Sequence, residues 1–266
     1  MDDIAQKNAD RFTGFSDTYE SSRPAMPLYP VKIVKKYLGR IPDVVVDLGC
    51  GTGLSTVIWE GNCSKAIGIE PSDDMRGVAQ SKSSDTISFA KAYAHDTKLA
   101  DNSVDAAICS QSFHWMEPTS TLKEVHRILA TGGVFAAVDC DWPPLSDWRV
   151  DRAYNELFKK IHQIEDTNDT IKDNFTRYEK DKHLSNIIGS GLFAFAREVV
   201  FSNTEKCDAK RLIDLTISQG SLQNIIKHVP ELIADDIEGY KALVHDVFGE
   251  REFEIEFSYR MRIAVK

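Results

Sequence analysis

The sequence predicts an α/β fold, a doubly wound and mainly parallel sheet of seven strands with a helical cap. Between residues 44 and 138, short apolar runs alternate with helical patterns, which is typical of βαβ units and a parallel sheet. A glycine-rich turn follows the first of these runs. The last segment instead alternates apolar and polar residues with period two, as an antiparallel strand covered on one face does.

The first five strands are predicted from buried apolar runs, and the helices between them from helical spacing and capping residues. A helix is expected first, over residues 31–38. Strands are expected at 44–48, 65–70, 87–90, 104–109 and 134–138. Further helices are expected from about Ser55, from Ser72, and over 119–129, where Gly132 and Gly133 provide a stop signal.

The second half of the chain predicts two more strands and the cap. Residues 253–265 are expected to add an antiparallel strand near one side of the sheet, with 197–201 as a plausible partner. The stretches 148–188 and 208–249 are rich in helical patterns and too long for plain loops, so they are expected to cover the carboxyl edge of the sheet. One domain, 1–266, is thus divided into an N-terminal lid with the first helix (1–40), a ligand-binding core (41–142), cap insertions around the sixth strand (143–250) and the last strand (251–266).

Composition and charge exclude several classes of protein. The 32 Lys and Arg residues are outnumbered by 41 Asp and Glu, a net charge of −9, and no basic run is present, so duplex nucleic acid and anionic membranes are poor partners. No apolar stretch approaches the roughly 20 residues of a membrane-spanning helix. The polar, acidic N-terminus does not resemble a secretory signal, so a cytoplasmic location is expected. Five scattered cysteines without a Cys-x-x-Cys pair predict reduced thiols and no metal site.

The strongest signal is the turn that follows residues 44–48. Gly49, Gly51 and Gly53 stand at alternate positions, where the absence of Cβ atoms lets the backbone turn sharply and approach a ligand. A helix beginning after the turn would add a positive dipole end and free N–H donors. Leu54 stands where the dinucleotide pattern has its third glycine, so a pyrophosphate is not the expected ligand.

Two acids belong to the same site. Glu70 lies 70 − 49 = 21 residues after Gly49, at the end of the second strand, where an acid accepts hydrogen bonds from both hydroxyls of a ribose. Asp47 ends the first strand, and its carboxylate could pair with a ligand ammonium, directly or through water. An amine, a ribose and a base without phosphate describe S-adenosylmethionine.

At this point the chain resembles the class I S-adenosylmethionine-dependent methyltransferases, over residues 12–138. The residues that carry the resemblance are Asp47, Gly49, Gly51, Gly53 and Glu70. It implies the Rossmann-like methyltransferase fold, S-adenosylmethionine as cofactor and S-adenosylhomocysteine as product. A strand-turn-helix without a ligand and a nicotinamide oxidoreductase remain alternatives.

Further matches point to a subgroup of this family. Residues 110–115 and the N-terminal segment 12–30 resemble small-molecule enzymes similar to trans-aconitate methyltransferase, in which that segment covers the cofactor. Residues 94–96 and 101–105 resemble the segment of the wider family that lies beside the adenine, which implies that Ala94 and His95 flank the adenine. Tyr19 and Gln111 are also expected to contact the cofactor. Base methyltransferases usually carry an Asp/Asn-Pro-Pro-aromatic motif after the fourth strand, where this chain has 110–113 as Ser-Gln-Ser-Phe.

The acceptor site is predicted from five residues. His114 is the best-placed general base, and the equal alternative is a hydrogen-bonded residue that supports its loop. Arg23 could pair with a substrate carboxylate or attach the N-terminal segment to the sheet. Trp115 is either a packing residue or a substrate platform. Trp142 is expected at the mouth of the site, and Ser218 weakly resembles a residue that lines the acceptor pocket.

These residues predict a small-molecule methyltransferase that methylates a carboxylate or hydroxyl oxygen, as a monomer or homodimer. A carboxylate nucleophile needs no base, whereas a hydroxyl does. A quinone or polyketide C- or O-methyltransferase is the alternative within the enzyme class. The alternative outside it is a protein that binds the cofactor without catalysis and acts as a regulator.

Overall fold

The computed structural model describes residues 4, 6–8, 23–24, 26–172 and 176–266. The strands are β1 (Val44–Leu48), β2 (Lys65–Ile69), β3 (Ile87–Ala90), β4 (Val104–Ser110), β5 (Leu129–Cys140), β6 (Phe195–Cys207) and β7 (Phe253–Val265). The α-helices are α1 (Tyr29–Leu38), α2 (Asp73–Gln80), α3 (Pro118–Ile128), α4 (Trp148–Thr167), α5 (His183–Gly189), α6 (Ala209–Ile217), α7 (Gly220–His228) and α8 (Ala234–Phe248).

The seven strands form one sheet in the order β3-β2-β1-β4-β5-β7-β6. The first five pair in parallel, and β7 lies antiparallel between β5 and β6. The predicted doubly wound, mainly parallel sheet is therefore confirmed. Because β1 pairs with both β2 and β4, the strand order reverses beside β1, and such a reversal opens a crevice at the carboxyl ends of the strands.

Helices cover both faces of the sheet. Apolar side chains of α1, α4, α6, α7 and α8 form one buried cluster with one face of the sheet, and α3 and α5 pack on the other. The helix-rich stretches of the predicted cap are thus α4 to α8. All five cysteines are free. None of the described helices combines the length and the apolar character that crossing a membrane requires.

The predicted helix from Ser55 is wrong. The structure has only a short 3-10 helix, Val57–Trp59, before the chain turns at Gly61, which has a φ of +68°. The hydroxyls of Ser55 and Thr56 donate to Asp47 behind the glycine turn, which fixes this segment as a turn. The expected helix dipole at the site is consequently missing, and the turn itself provides the N–H donors.

The largest differences from the predicted boundaries are in β5, which begins at Leu129 rather than 134, and in β6. Helix α3 ends at Ile128, before the two glycines, because Leu129 already pairs with Val104 in the sheet. Strand β6 is much longer than residues 197–201, because it pairs with β7 along its whole length.

Candidate functional site

One cavity opens at the carboxyl ends of β1 and β4, where the strand order reverses. The predicted site residues that line it are Arg23, Gly49, Gly51, Glu70, Ala94, His95, Gln111, Trp115 and Trp142. Those that the structure places away from its lining are Asp47, Gly53, His114 and Ser218. Tyr19 and most of the predicted lid lie outside the described residues.

The three glycines of the turn serve different purposes, although all have positive φ. A Cβ on Gly51 would meet no protein atom within 4 Å, so packing does not explain this glycine, which lines the cavity. A Cβ on Gly53 would lie 2.8 Å from the ring of Phe89, and one on Gly49 would lie 2.8 Å from Cβ of Ser112. Gly51 therefore borders open space in the cavity, as expected of a glycine beside a ligand, whereas Gly53 allows close packing of the chain.

Glu70 is held in place by the backbone around it. Its Oε2 accepts from the N–H of Gly51 at 2.9 Å, and its Oε1 accepts from the N–H of Ser72 at 2.9 Å. Burial raises the pKa of Glu70, and these two hydrogen bonds oppose that shift. A carboxylate has about four lone-pair sites, so two remain for the hydroxyls of a ribose.

Asp47 lies behind the turn rather than in the cavity. Its Oδ2 accepts from the hydroxyls of Ser55 and Thr56, each at 2.7 Å. Burial raises the pKa of Asp47 to about 6 against the effect of these donors. Asp47 does not line the cavity, and its carboxylate holds the turn in shape through these two hydroxyls. Its pairing with a ligand ammonium, directly or through water, stays a prediction.

The loop after β4 and the segment after β3 line the cavity on either side of β1 and β2. Gln111 has a φ of +54°, which is rare for a residue other than glycine and is often found at functional sites. Its N–H donates to the carbonyl of Val138 at 2.8 Å, which fixes the loop to β5. On the other side, the rings of Tyr93 and His95 stack with 5.4 Å between their centroids.

The part of the cavity that the sequence predicts to bind the acceptor has an aromatic wall and a guanidinium group. Arg23 lies 5.4 Å above the ring centroid of Trp142. It also donates from Nη2 to the carbonyl of Ser218 at 3.4 Å. Ser218 directly follows α6, and its hydroxyl donates to the carbonyl of Leu215 in that helix, so its contact with a residue that lines the cavity is the one to Arg23 through its carbonyl. The interpretation of Ser218 as a pocket-lining residue therefore needs correction.

His114 lies beneath the cavity wall and is only 6% exposed. Its Nδ1 is 3.3 Å from Oδ1 of Asp139, and Nε2 of the fully buried His183 is 3.5 Å from Oδ2 of the same carboxylate. Burial, with the positive charge of Lys180, lowers the pKa of His114 to about 3. This geometry favours the supporting role of His114 over the role of a base that contacts substrate.

The same three side chains offer the donor types of a metal site, since their ligand atoms lie within 4.8 Å of one another. Two cations already lie against the carboxylate of Asp139. Nζ of Lys180 is 3.4 Å from Oδ1, and Nη1 of Arg262 is 3.0 Å from Oδ2. Burial alone would raise the pKa of Asp139, but Lys180 and His114 hold it below its usual range. A divalent cation would be repelled here, so the charges disfavour a metal.

We expect the two buried histidines to make stability depend on pH. Burial lowers the pKa of His183 to about 4, and that of His114 is about 3, whereas an unfolded histidine titrates near 6.5. The unfolded state thus binds more protons between these values, and the free energy of unfolding falls as pH drops below about 6.5. The slope is at most about 1.4 kcal/mol per pH unit for each histidine.

Denaturant unfolding between pH 8 and pH 4.5 measures this slope. His183→Phe should reduce it, and His162→Phe, at a side chain that is 43% exposed, controls for the loss of a histidine as such. A wild-type slope in His183→Phe would show that this histidine is not the source.

Several lining residues were missed by reasoning from the sequence, among them Asn8, Met26, Tyr93, Cys140, Tyr178 and Tyr259. No local motif marks them, because they come from six different parts of the chain and meet only in the fold. Only Tyr93 could have been predicted, because it directly precedes Ala94 and His95 in the sequence.

The residues of the cavity fit S-adenosylmethionine. Gly51 leaves open space beside the turn, and Glu70 has two acceptor sites that the backbone does not use. When bound, this cofactor supplies a methyl group activated on a sulfonium.

Comparison with known proteins agrees with this fit. Residues 46–137 match the family described as the methyltransferase domain. The chain is 32% identical over 124 residues to a probable S-adenosylmethionine-dependent methyltransferase of Saccharomyces cerevisiae, covering 44% of this chain and 43% of that protein. The chain thus spans less than half the length of this curated relative.

Solved structures share the fold. A protein from Anaeromyxobacter dehalogenans superposes with a TM-score of 0.67 at 18% identity, covering 91% of this chain and 97% of the other. The phosphoethanolamine N-methyltransferase 2 of Haemonchus contortus, solved with S-adenosylhomocysteine, gives 0.57 at 13% identity, over 97% of this chain and 60% of that one. The fold is therefore the Rossmann-like methyltransferase fold, residues 46–137 are similar to the methyltransferase domain family, and these matches support S-adenosylmethionine as the cofactor.

Proposed function

We propose that this chain is a methyltransferase that transfers the methyl group of S-adenosylmethionine to an oxygen of a small molecule, with a carboxylate favoured over a hydroxyl. The observation that carries the proposal is a single cavity that joins the glycine turn and Glu70 to an aromatic wall bearing Arg23. A cofactor and an acceptor bound in one cavity can be held in contact, which is the main requirement of a direct displacement.

The charges of the lining favour a carboxylate. Among the described residues, the acids on the cavity are Glu70, which faces the glycine turn, and Glu117, whose carboxylate caps α3 by accepting from Thr119 and Ser120. The acceptor side has the guanidinium of Arg23 instead, and this group binds carboxylates through charge-assisted hydrogen bonds.

Among the described residues, the acceptor side has no accessible histidine that could act as a base, which points the same way. His114 is buried with a low pKa, and the lining histidine among the described residues is His95, which stacks on Tyr93. A hydroxyl acceptor would need such a base to remove its proton, whereas a carboxylate is already ionised at neutral pH.

A small-molecule acceptor also follows from the surface and the loop after β4. A net charge of −9 opposes the approach of nucleic acid, and residues 110–113 lack the motif that is usual in enzymes methylating bases. Trp115 and Trp142 supply flat apolar surfaces that suit an acceptor with an aromatic or unsaturated body.

Release of S-adenosylhomocysteine in the presence of trans-aconitate, trans-cinnamate, 4-hydroxybenzoate or catechol tests the reaction. We expect turnover with a carboxylate, and we expect Arg23→Ala to raise its KM about 10- to 100-fold, the effect of losing one charge-assisted hydrogen bond. The KM for S-adenosylmethionine should change less than about threefold. Arg152→Ala, a substitution of an exposed arginine on α4, is the control.

Each alternative predicts a different result. Turnover of catechol but no carboxylate would contradict the carboxylate preference. Turnover of an added hydroquinone alone would favour the quinone alternative. Tight binding of S-adenosylhomocysteine without turnover of any of these compounds would favour a regulator that binds the cofactor.

A further inference from the structure

Asn8 occupies an unusual place for a residue so near the N-terminus, since its side chain is buried and only 4% of the residue is exposed. Its Nδ2 donates to the carbonyls of Trp115, at 2.8 Å, and Thr176, at 2.9 Å. Its Oδ1 accepts from the N–H of Thr176 at 3.0 Å. Both donors of this carboxamide and one of its acceptor sites are therefore used.

The two partners belong to segments that are far apart in sequence. Trp115 ends the short 3-10 helix after β4, and Thr176 begins the part of the cap that leads to α5. The carboxamide thus forms a bridge between the core of the domain and its cap, and the bridging group comes from the N-terminal segment.

Other contacts also connect the core of the domain to its cap, close to the bridge that Asn8 forms. The N–H of Tyr178 donates to the carbonyl of His114 at 2.8 Å. Nζ of Lys180 lies 3.3 Å from Oε1 of Gln111 and 3.4 Å from the carbonyl of Cys140. The cap segment 176–180 therefore runs beside the loop after β4, with direct contacts from Tyr178 and Lys180, and Asn8 links Thr176 to the same loop.

This junction borders the acceptor side of the cavity. Asn8, Trp115 and Tyr178 all line it, so the distance between the two segments sets the spacing of the Trp115 and Tyr178 side chains. A residue that fixes this spacing should affect binding of the acceptor, whereas Glu70 and the glycine turn should affect binding of the cofactor.

We propose that Asn8 is a positioning residue for the acceptor: its carboxamide locks the cap segment at Thr176 to the loop at Trp115, and this fixes the shape of the acceptor side. The inference rests on the proposed function only for its effect on turnover. Asn8→Ala leaves one N–H and two carbonyls without their partner, and Asn8→Asp keeps the acceptor for Thr176 but places a negative charge against both carbonyls. Both variants should release the junction.

Hydrogen exchange of the full chain saturated with S-adenosylhomocysteine tests the lock without any turnover. We expect the amides of Thr176 and Tyr178 to exchange at least about tenfold faster in Asn8→Ala and Asn8→Asp, because protection follows the local opening equilibrium. Gln6→Ala is the matched control, since Gln6 lies in the same segment but accepts from the hydroxyl of Tyr93, and it should leave these two amides unchanged.

Kinetics with trans-cinnamate as the acceptor probe then separate positioning from general stability. The KM for trans-cinnamate should rise at least about tenfold in Asn8→Ala, while the Kd for S-adenosylhomocysteine stays within about twofold of wild type. Unchanged exchange at Thr176 and Tyr178 would overturn the lock, and an equal loss of cofactor and acceptor affinity would overturn its specific role. Absence of turnover in the wild type would count against the proposed function and leave the exchange result decisive for Asn8.

Discussion

Gly51→Val is expected to raise the Kd for S-adenosylhomocysteine by about 100-fold or more, because the valine side chain would occupy space that the ligand needs. Gly51 lines the cavity, and a Cβ added there meets no protein atom within 4 Å. No protein atom therefore pushes the valine side chain out of the space that the ligand needs. Its φ of +56° adds strain, which lowers the free energy of unfolding by about 1–2 kcal/mol.

Strain and loss of ligand space can be separated with a matched variant. Gly61 also has a positive φ, +68°, and a Cβ there also meets nothing within 4 Å, but it does not line the cavity. Gly61→Val should therefore cost similar stability and leave the Kd measured by calorimetry unchanged. If Gly51→Val folds and binds like the wild type, the glycine serves only the turn.

The sheet could be predicted from the sequence because its signals are local. Each parallel strand is a short buried apolar run, and the alternation in 253–265 reports a strand with two different faces. The segment after the glycine turn could not be predicted in this way. Its Ser55 and Thr56 hydroxyls bond to Asp47, a contact across eight and nine residues that overrides the expected helix.

The cofactor side was likewise more predictable than the acceptor side. The turn follows β1 and Glu70 follows β2, and these two strands are neighbours in the sheet. The number of residues between them is therefore enough to locate both. Asn8, Trp115 and Tyr178 meet only because the N-terminal segment and the cap both reach the loop after β4. His114 shows the same limit, because its burial beneath the wall depends on Asp139 and the cap rather than on its neighbours in sequence.

Glu70 also has a structural role, which affects any test of its predicted role in binding the ribose. Its two oxygens accept from the N–H groups of Gly51 and Ser72, so the carboxylate also ties the glycine turn to the residues after β2. Removing it leaves two N–H groups without their acceptor, which affects the turn as well as the ligand. A stability measurement must therefore accompany every affinity measurement at this position.

Glu70→Ala should weaken S-adenosylhomocysteine binding by about 2–3 kcal/mol, roughly 30- to 150-fold, because two charge-assisted hydrogen bonds to the ribose are lost. Glu70→Gln keeps one acceptor oxygen and most of the side-chain volume, so its loss should be intermediate. Glu117→Gln is the matched control, since this acid also lines the cavity but is committed to capping α3. Calorimetry on folded variants gives the affinities. Unchanged affinity in Glu70→Ala, or an equal loss in Glu117→Gln, would remove Glu70 from the ribose site and leave it as a support of the turn.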